Sequence, residues 1–398
     1  MQKKVMLLGG NYFQMTATKA AKELGHYVIS VDYLPDNPAH KFADEYHNVS
    51  TVDREAVLHL AKELQIDGIV SYASDVSAPT AAYVAEQMGL PTNPLKAVEV
   101  LTRKDRFRPF LEENGFPAPQ GQGFTDYQAA LEFFKTIRKP AMVKPVDASG
   151  SKGVSKIFSE DEFESAYKNA AEYSRAGVIL VEEFMERKGH QIAGDGFIVD
   201  GKLVFAGFMN EHFDQLCNPL VPIGESYPAV LSEELREKAR TEIQKVLTAL
   251  DMKMGAINLD FIVGTDDEIH ILEIGPRNGG NLITDAIAYA SDLDLAKFTI
   301  QAALGLDCSA VKEMPIHTYT SSYVVHALES GIFDHVEIAD EIKDDLVRYD
   351  LFVEPGDEVS RFDNGALGIG AAIIKHATPE IMMERMEHME RYIRVVVR

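Results

Sequence analysis

The chain is poor in cysteine. Only Cys217 and Cys308 occur among its 398 residues, which is too few for a disulfide framework and fits a reducing cytoplasm. Neither cysteine has neighbours in the sequence that would activate a thiol nucleophile, so both are expected to be ordinary buried thiols. We therefore expect a cytoplasmic protein.

Long apolar runs are also absent. No run reaches the roughly 18 residues that a membrane-spanning helix needs, and a membrane partner is not expected. The short apolar segment after Lys3 and Lys4 passes directly into Gly9 and Gly10. It is too brief for the core of a signal peptide, so we interpret it as a first strand.

Basic residues are outnumbered by acidic ones. The 39 Lys and Arg face 62 Asp and Glu, which gives a net charge of −23. A broad nucleic-acid surface needs clustered Lys and Arg, so a nucleic-acid partner is not expected. A nucleotide is compatible with this charge, because salt screens exposed charges beyond about 8 Å and a local pocket decides.

The N-terminal quarter of the chain alternates strands and helices. Apolar strands, such as residues 5–8 and 27–31, are separated by helical segments up to about residue 95, which predicts a parallel sheet with right-handed crossovers. The first turn lacks the full Gly-x-Gly-x-x-Gly pattern, so NAD binding with Asp32 is a weak hypothesis. The length of the chain predicts roughly two to four domains.

Two later strands carry a pair of acids followed by an arginine. Asp260 and Glu273 lie on apolar runs that the turn-rich segment 264–267 joins, and Arg277 comes four residues after Glu273. A hairpin with this turn brings the two carboxylates together. Charge on an apolar strand is costly unless it is paired, and Mg²⁺ prefers one or two carboxylates plus phosphate oxygens. The pattern favours a site for Mg²⁺-bound polyphosphate over a surface hairpin with exposed acids.

A loop of small residues follows a lysine on an apolar strand. Lys144 ends an apolar run, and the loop after it contains Ser149, Gly150, Ser151, Lys152 and Gly153. Backbone N–H groups of such a loop can surround phosphate oxygens, although a flexible hairpin loop is an equally good interpretation. A lysine that points into the interior needs an anion. Because no acid lies nearby in the sequence, a ligand phosphate is expected to supply the charge.

A further apolar strand ends in Glu182, Glu183 and Phe184. Backbone groups at such a strand end can bind an adenine, with Glu182 accepting from the exocyclic amine. Taken alone, this motif is also compatible with an ordinary strand end that carries solvated acids.

In this order, the segments resemble the ATP-grasp superfamily, of the carboxylate–amine ligase type that includes carbamoyl-phosphate synthase large subunits and biotin carboxylases. The resemblance implies a Rossmann-like pre-ATP-grasp domain over residues 1–95, with a parallel sheet. It further implies a two-lobed ATP-grasp domain over 96–310, with a small mobile lobe at about 120–190, and a small C-terminal α+β domain over 311–398. The expected fold class is therefore a multidomain combination of α/β and α+β.

The resemblance also assigns roles to individual residues. Asp260 and Glu273 match the two Mg²⁺ ligands, and Arg277 matches the catalytic arginine that steadies the acyl phosphate and the transition state. The ATP-binding positions are matched by Lys104, Lys144, residues 149–153 and residues 182–184.

Two positions depart from the family pattern. An acid on the ribose hydroxyls is common in the family, and here the nearest match is Gln191. The family often has Asn two residues after the second metal acid, where this chain has Gly275. Either Asn278 replaces that asparagine as a metal ligand, or Glu273 and phosphate hold the second metal.

The substrate pocket is expected to draw on three segments. One is Ser74 and Asp75 of the N-terminal domain, and another is the loop 211–227, from which His212 is a candidate. The third consists of Gly279 and Gly280, after Arg277. A lone loop histidine is more often a surface residue than a ligand, and that alternative stays open for His212.

The resemblance implies an ADP-forming ligase that activates a carboxylate with ATP and Mg²⁺, with Mn²⁺ as a substitute, and couples it to an amine. The expected partners are small-molecule acids and amines, and a homodimer is compatible with the family. One alternative is a carboxylase of the biotin carboxylase or purine-biosynthesis type that uses bicarbonate. Another is a non-catalytic ATP-binding module, against which the presence of Asp260, Glu273 and Arg277 argues.

Overall fold

The N-terminal region forms a parallel sheet flanked by helices. The computed structural model describes residues 2–398. In this region the elements are β1 (Lys4–Leu8), α1 (Met15–Glu23), β2 (Tyr27–Val31), β3 (Glu45–His47), α2 (Arg54–Leu64), β4 (Gly68–Ser71) and α3 (Ala78–Met88). The sheet order is β3-β2-β1-β4, and every pair is parallel, as the strand–helix alternation predicts. Strand residues such as Met6 and Ile29 are fully buried under the helices, which is why these strands are continuously apolar.

Two helices, α4 (Leu95–Leu101) and α5 (Lys104–Glu113), lead into a small lobe. The lobe contains β5 (Gly121–Phe124), α6 (Tyr127–Thr136), β6 (Ala141–Pro145), β7 (Ser155–Ile157), α7 (Phe163–Tyr173) and β8 (Ile179–Glu183). Its antiparallel sheet has the order β5-β8-β6-β7. Phe134 and Phe163, from the two helices, fill its core against Val181.

The large lobe follows directly. It contains β9 (Gln191–Val199), β10 (Lys202–Phe213), β11 (Pro222–Tyr227), α8 (Glu233–Ala249), β12 (Gly255–Val263), β13 (Ile269–Gly275), α9 (Ile283–Ser291) and α10 (Leu295–Ala303). Its five strands pair antiparallel in the order β13-β12-β9-β10-β11. Ile243 of α8 packs with Phe208 and Phe261 of the sheet in one buried cluster.

The C-terminal region extends the same sheet. Its elements are β14 (Tyr319–Val325), β15 (Gly331–Ile338), α11 (Asp340–Lys343), β16 (Leu346–Leu351), β17 (Glu358–Val359), β18 (Gly370–His376), α12 (Pro379–Glu387) and β19 (Ile393–Val397). Strand β14 pairs with β11, and β18 and β16 complete an eight-stranded sheet, while β17, β15 and β19 form a second sheet. The large lobe and the C-terminal region are thus joined by backbone hydrogen bonds across the boundary expected near residue 311.

The parallel N-terminal sheet, the antiparallel sheets of two lobes and the small C-terminal region confirm the predicted fold class. Between residues 2 and 398, none of the helices combines the length and the apolar character that a membrane crossing requires.

Candidate active site

The β12–β13 hairpin sets two carboxylates side by side. Asp260 and Glu273 are direct cross-strand partners, with a register shift just after Asp260. The turn is closed by Gly264, whose N–H donates to the Glu268 carbonyl at 2.9 Å. Side chains of residues directly opposite each other in an antiparallel pair lie on the same face, so both acids enter one cleft.

An ammonium from a different element faces this pair. Lys104 opens helix α5, and its Nζ lies 2.8 Å from Glu273 Oε2. Burial would raise the pKa of Glu273, but the Lys104 charge holds it below its ordinary value. Burial and the nearby Glu273 charge raise the pKa of Asp260 well above its usual range. The two carboxylates face one ammonium, and their hard oxygen atoms fit Mg²⁺.

The lysine of β6 has a protein partner that the sequence did not reveal. Lys144 forms an ion pair with Glu182 of β8, and Arg108 Nε of α5 lies 2.7 Å from the same carboxylate. Burial would raise the pKa of Glu182, yet Arg108 and Lys144 lower it to about 2. Burial lowers the pKa of Lys144, and the Glu182 charge only partly offsets this. One carboxylate thus serves two cations, which leaves positive charge available for an anionic ligand.

This arrangement corrects the role predicted for Glu182. Its buried carboxylate forms ion pairs with Arg108 and Lys144, so it is already engaged within the protein and is not a free acceptor for an adenine amine. The next two N–H groups are also engaged, since Glu183 donates to the Gln120 carbonyl and Phe184 to the Pro140 carbonyl, each at 3.0 Å. Arg108 was missed by the sequence analysis because a charged residue inside a helix gives no local sign that it is buried.

The glycine loop adopts backbone conformations that favour glycine. Gly150, Ser151 and Gly153 have φ of 67°, 56° and 70°, in the left-handed region that most side chains avoid. The Gly150 carbonyl accepts a hydrogen bond of 2.9 Å from the N–H of Gly365 in the C-terminal region. Lys152 and Ser151 are half-buried, whereas Ser149 and Gly150 are exposed. The loop therefore bridges the small lobe and the C-terminal region.

Arg277 is held by an acid of the N-terminal domain. Its Nη2 donates to Asp75 Oδ2, and its Nη1 donates to the Asn278 carbonyl at 3.1 Å. Burial opposes the charge, but Asp75 raises the pKa of the guanidinium. A Cβ at position 275 would lie 2.9 Å from Arg277 Cζ and 3.0 Å from Asp75 Oδ1. Gly275 therefore leaves room for the Arg277–Asp75 ion pair where the family often has asparagine.

Three buried polar atoms in this region have no hydrogen-bond partner within residues 2–398: Arg277 Nε, Asp75 Oδ1 and Glu211 Oε2. A buried polar group without a partner costs about 1–3 kcal/mol. Atoms of this kind indicate where a ligand would bind.

Two further acids line the same face of the sheet. Glu211 of β10 and Glu225 of β11 are cross-strand partners and are both buried. Burial, together with the charges of Asp260 and Glu225, raises the pKa of Glu211 well above its ordinary value. Burial also raises the pKa of Glu225 to about 7, despite hydrogen bonds from Ser322 and Asn281. The sequence analysis named the segment 211–227 but neither acid as a functional residue.

The structure corrects the metal-ligand hypothesis for Asn278. Its side chain is fully buried, its Nδ2 donates to Asp195 Oδ2 at 2.9 Å, and its Oδ1 accepts from Thr299 at 2.7 Å. The N–H of Gly279 is likewise used by Asp195, at 2.8 Å. Asn278 and Gly279 therefore hold the turn after Arg277 in place through hydrogen bonds to buried residues. A Cβ added at Gly280 would meet no atom within 4 Å.

His212 is also placed differently from the expectation. Successive strand residues point to opposite faces of a sheet, so His212 lies on the side away from Glu211. Its Nε2 is 2.8 Å from Ser226 Oγ, and burial lowers its pKa to about 3. It is a buried structural histidine. Gln191, by contrast, is paired with Glu211 across the strands and shares its face.

Ser74 and Asp75 lie just after β4, at the end of the N-terminal sheet. Ser71 Oγ donates to the Ser74 carbonyl at 2.6 Å, which orders the turn that carries Asp75. Burial raises the pKa of the Cys308 thiol to about 11 and, with the charge of Asp214, raises the pKa of Cys217.

Two protein families match parts of the chain. Residues 137–285 match the ATP-grasp domain, and residues 324–398 match the L-amino acid ligase C-terminal domain 2. The first of these spans the glycine loop, β8 and the β12–β13 hairpin.

Whole proteins are similar over larger parts of the chain. The carbamoyl phosphate synthase large chain of Vibrio parahaemolyticus is 25% identical over 319 residues, which cover 76% of this chain and 29% of that protein. The formate-dependent phosphoribosylglycinamide formyltransferase of Mannheimia succiniciproducens is 28% identical over 289 residues, 69% of each chain. This chain therefore spans less than a third of the synthase chain it matches.

The fold of the whole chain has solved counterparts. The L-amino acid ligase from Bacillus licheniformis superposes with a TM-score of 0.85 at 19% identity, covering 100% of this chain and 99% of the other. The phosphoribosylglycinamide synthetase from Anaerococcus prevotii gives a TM-score of 0.77 at 21% identity, covering 100% of both chains. These similarities show that the fold of the whole chain, including the N-terminal domain, is that of the two solved structures. The ATP-grasp domain predicted from the sequence is matched over residues 137–285.

Proposed function

Because the chain carries an ATP-grasp domain and is homologous to the carbamoyl phosphate synthase large chain, we propose that it is an ADP-forming carboxylate–amine ligase. A carboxylate oxygen attacks the γ-phosphorus of ATP, the bond to the β-phosphate oxygen breaks, and an acyl phosphate and ADP form. The nitrogen of an amine then attacks the acyl carbon, phosphate leaves, and an amide results.

The observation that carries the proposal is the set of buried polar atoms without partners at Arg277, Asp75 and Glu211. Arg277 Nε offers a buried N–H donor, while Asp75 Oδ1 and Glu211 Oε2 offer buried acceptors. The donor suits the oxygen atoms of an acyl phosphate and of the tetrahedral species that follows it. The acceptors suit a substrate ammonium or amine. A protein that binds ATP without catalysing a reaction has no need of both the buried donor and the buried acceptors.

The cations of the cleft address a charge problem. A substrate carboxylate and the triphosphate are both anionic, and like charges about 4 Å apart repel by about 4 kcal/mol at an effective dielectric constant near 20. Lys144 and Lys104 each form an ion pair with a protein carboxylate. Their positive charges would also stabilise the phosphates of a bound ATP. Mg²⁺ held by Asp260 and Glu273 would supply further positive charge when bound.

Acidic residues favour an amino acid as one substrate. Glu211 and Glu225 are buried cross-strand partners and, when ionised, would hold an α-ammonium group. A carboxyl with a pKa of about 7 is also suited to take the proton that an attacking ammonium must lose. The match of residues 324–398 to an L-amino acid ligase domain agrees with this substrate class.

The glycine loop would shield the acyl phosphate. Closure over an active site excludes the water that otherwise hydrolyses such an intermediate. The hydrogen bond between Gly150 and Gly365 holds the loop against the C-terminal region.

The experiment is a panel of L-amino acids, singly and in pairs, with ATP and Mg²⁺, scored for ADP. We expect ADP release with at least one amino acid or pair, together with an amide product of the matching mass by mass spectrometry. The Arg277→Ala variant should lower turnover by about 10² to 10³-fold, while the Kd for ATP stays near that of the parent. Arg391→Ala, which removes an exposed arginine, is the control.

Three results would contradict the proposal. ADP release with bicarbonate alone would favour a carboxylase, and the absence of ADP with every pair would favour a binding module. Equal losses of turnover and ATP affinity in Arg277→Ala would remove the role assigned to this arginine.

A further inference from the structure

Three side chains of metal-binding type meet outside the ATP cleft. Asp214 and Cys217 lie in the loop between β10 and β11, and His326 directly follows β14. One carboxylate oxygen, the Sγ atom and one ring nitrogen all lie within 4.8 Å of one another. Asp214 and His326 are 7% and 4% exposed, and Cys217 is half-buried. The fold brings His326 to the loop that carries Asp214 and Cys217, more than 100 residues earlier in the sequence (326 minus 217 is 109).

The hydrogen bonds of His326 leave one ring nitrogen for a cation. Nδ1 lies 2.7 Å from the Val324 carbonyl, and because a carbonyl only accepts, Nδ1 carries the proton. Nε2 lies 2.8 Å from Asp214 Oδ2. A bare ring nitrogen and a carboxylate oxygen are both acceptors, so a proton or a metal ion must lie between them. An imidazole oriented by a backbone carbonyl is the usual arrangement of metal-binding histidine.

A thiol nucleophile does not fit this geometry. Activation of Cys217 would need a histidine nitrogen to take the proton from Sγ, and both nitrogens of His326 already face Val324 and Asp214. The Cys217 thiol instead points towards the Ala327 carbonyl, at 3.9 Å. The geometry therefore favours metal binding over nucleophilic catalysis for this set of side chains.

We propose that Asp214, Cys217 and His326 bind one Zn²⁺ ion, with water as the fourth ligand on the half-exposed side of Cys217. Oxygen, sulfur and nitrogen donors in one set suit Zn²⁺, whereas Mg²⁺ prefers oxygen alone. Bonds of about 2.0–2.3 Å to a tetrahedral ion place the ligand atoms roughly 3.3–3.8 Å apart. The oxygen–nitrogen pair, now at 2.8 Å, therefore opens by about half an ångström.

The ion would fasten a loop that leads to the substrate side of the cleft. Arg361 Nη2 already donates to the carbonyls of Leu216 and Cys217, at 2.8 and 2.9 Å, and Asn218 Nδ2 donates to the Asp363 carbonyl at 3.0 Å. The segment 214–221 thus rests on the C-terminal region before it enters β11, the strand that carries Glu225. Zn²⁺ would add a bond between this loop and the end of β14.

The experiment uses the full chain saturated with ADP and Mg²⁺, so that the oxygen ligands of the ATP cleft are occupied. Co²⁺ is titrated as a spectroscopic substitute, since a cobalt–thiolate bond gives a near-ultraviolet absorption band, and Zn²⁺ is then added to displace it. We expect one equivalent of Co²⁺ and the band in the parent and in Cys308→Ser. We expect loss of the band in Cys217→Ser and at least tenfold weaker Zn²⁺ binding in His326→Gln.

Cys308 is the matched control because it is the second cysteine and lies in a separate apolar cluster. Retained ADP affinity will show that each variant is folded, and if His326→Gln does not fold, Cys217→Ser decides. A parent protein with no cobalt–thiolate band has only a proton between Asp214 and His326, and the proposal fails. A band that survives Cys217→Ser, or stoichiometric Zn²⁺ unaffected by any variant, places the ion elsewhere and equally overturns it.

Discussion

Replacement of Glu225 by glutamine should stabilise the protein above neutral pH. The carboxyl is 3% exposed and hydrogen-bonded to Ser322 Oγ at 2.6 Å and Asn281 Nδ2 at 3.3 Å. A glutamine has the same shape and can still accept from Asn281 while donating to Ser322. The substitution therefore removes the ionisation and keeps the contacts.

The magnitude follows from the pKa of Glu225. The fold raises it from 4.5 to about 7, so the folded state holds its proton where the unfolded state has released it. Stability is therefore greatest below pH 4.5 and is lost as pH rises through the folded pKa. A pKa difference of one corresponds to about 1.4 kcal/mol. The variant should be more stable than the parent by about 1 kcal/mol at pH 5 and by about 3 kcal/mol at pH 8.

The assay is urea unfolding of both proteins at about pH 5 and about pH 8, with Glu354→Gln, an exposed residue, as the control for the loss of a surface charge. The decisive quantity is the free energy of unfolding of the variant minus that of the parent, compared between the two pH values. If this difference does not grow between the two pH values, Glu225 is not held neutral by burial, and its proposed part in accepting a proton also falls.

Two further substitutions test how the cleft and the sheet are held together. Glu182→Gln leaves Arg108 and Lys144 buried without a carboxylate, and we expect a loss of about 3–5 kcal/mol, measured by thermal unfolding with and without ATP. An unchanged melting temperature without ATP would show that the ion pairs are not formed. In Gly194→Ala the new Cβ would meet a carbonyl oxygen of β10 at 2.0 Å, so a loss of about 3 kcal/mol or more is expected. Gly280→Ala, where no atom lies within 4 Å, should change little.

Several parts of the fold were predictable because they depend on local patterns. The strand–helix alternation of the first 95 residues requires a parallel sheet, since parallel neighbours need long crossovers. The β12–β13 hairpin follows from two apolar runs and the turn at 264–267. The pairing of Asp260 with Glu273 also needs the register shift after Asp260, because Phe261 pairs with Ile271 and a regular register would set Asp260 opposite Leu272. This shift brings both acids to one face, since a slip of one residue moves a side chain to the other face.

Other features of the site depended on contacts between distant segments. The sequence shows Lys144 without an acid nearby, whereas strand pairing brings Glu182 beside it. Asn278 was interpreted as a ligand because of its position after Glu273, but it lies beneath the turn and is engaged by Asp195 and Thr299. The position of a residue in the sequence does not show in which direction its side chain points after a turn of the backbone.

The sequence by itself determined the class of the protein, because the order of motifs along the chain and the apolar periodicity of its strands are local properties. Tertiary structure alone decided which charges are partners. Three contacts join segments at least 97 residues apart. They are the hydrogen bond of Glu225 with Ser322 (322 minus 225), the ion pair of Asp75 with Arg277, and the proximity of Cys217 and His326. The strength of such contacts depends on the distance between the groups and on the exclusion of water. Neither can be deduced from the spacing of residues along the chain.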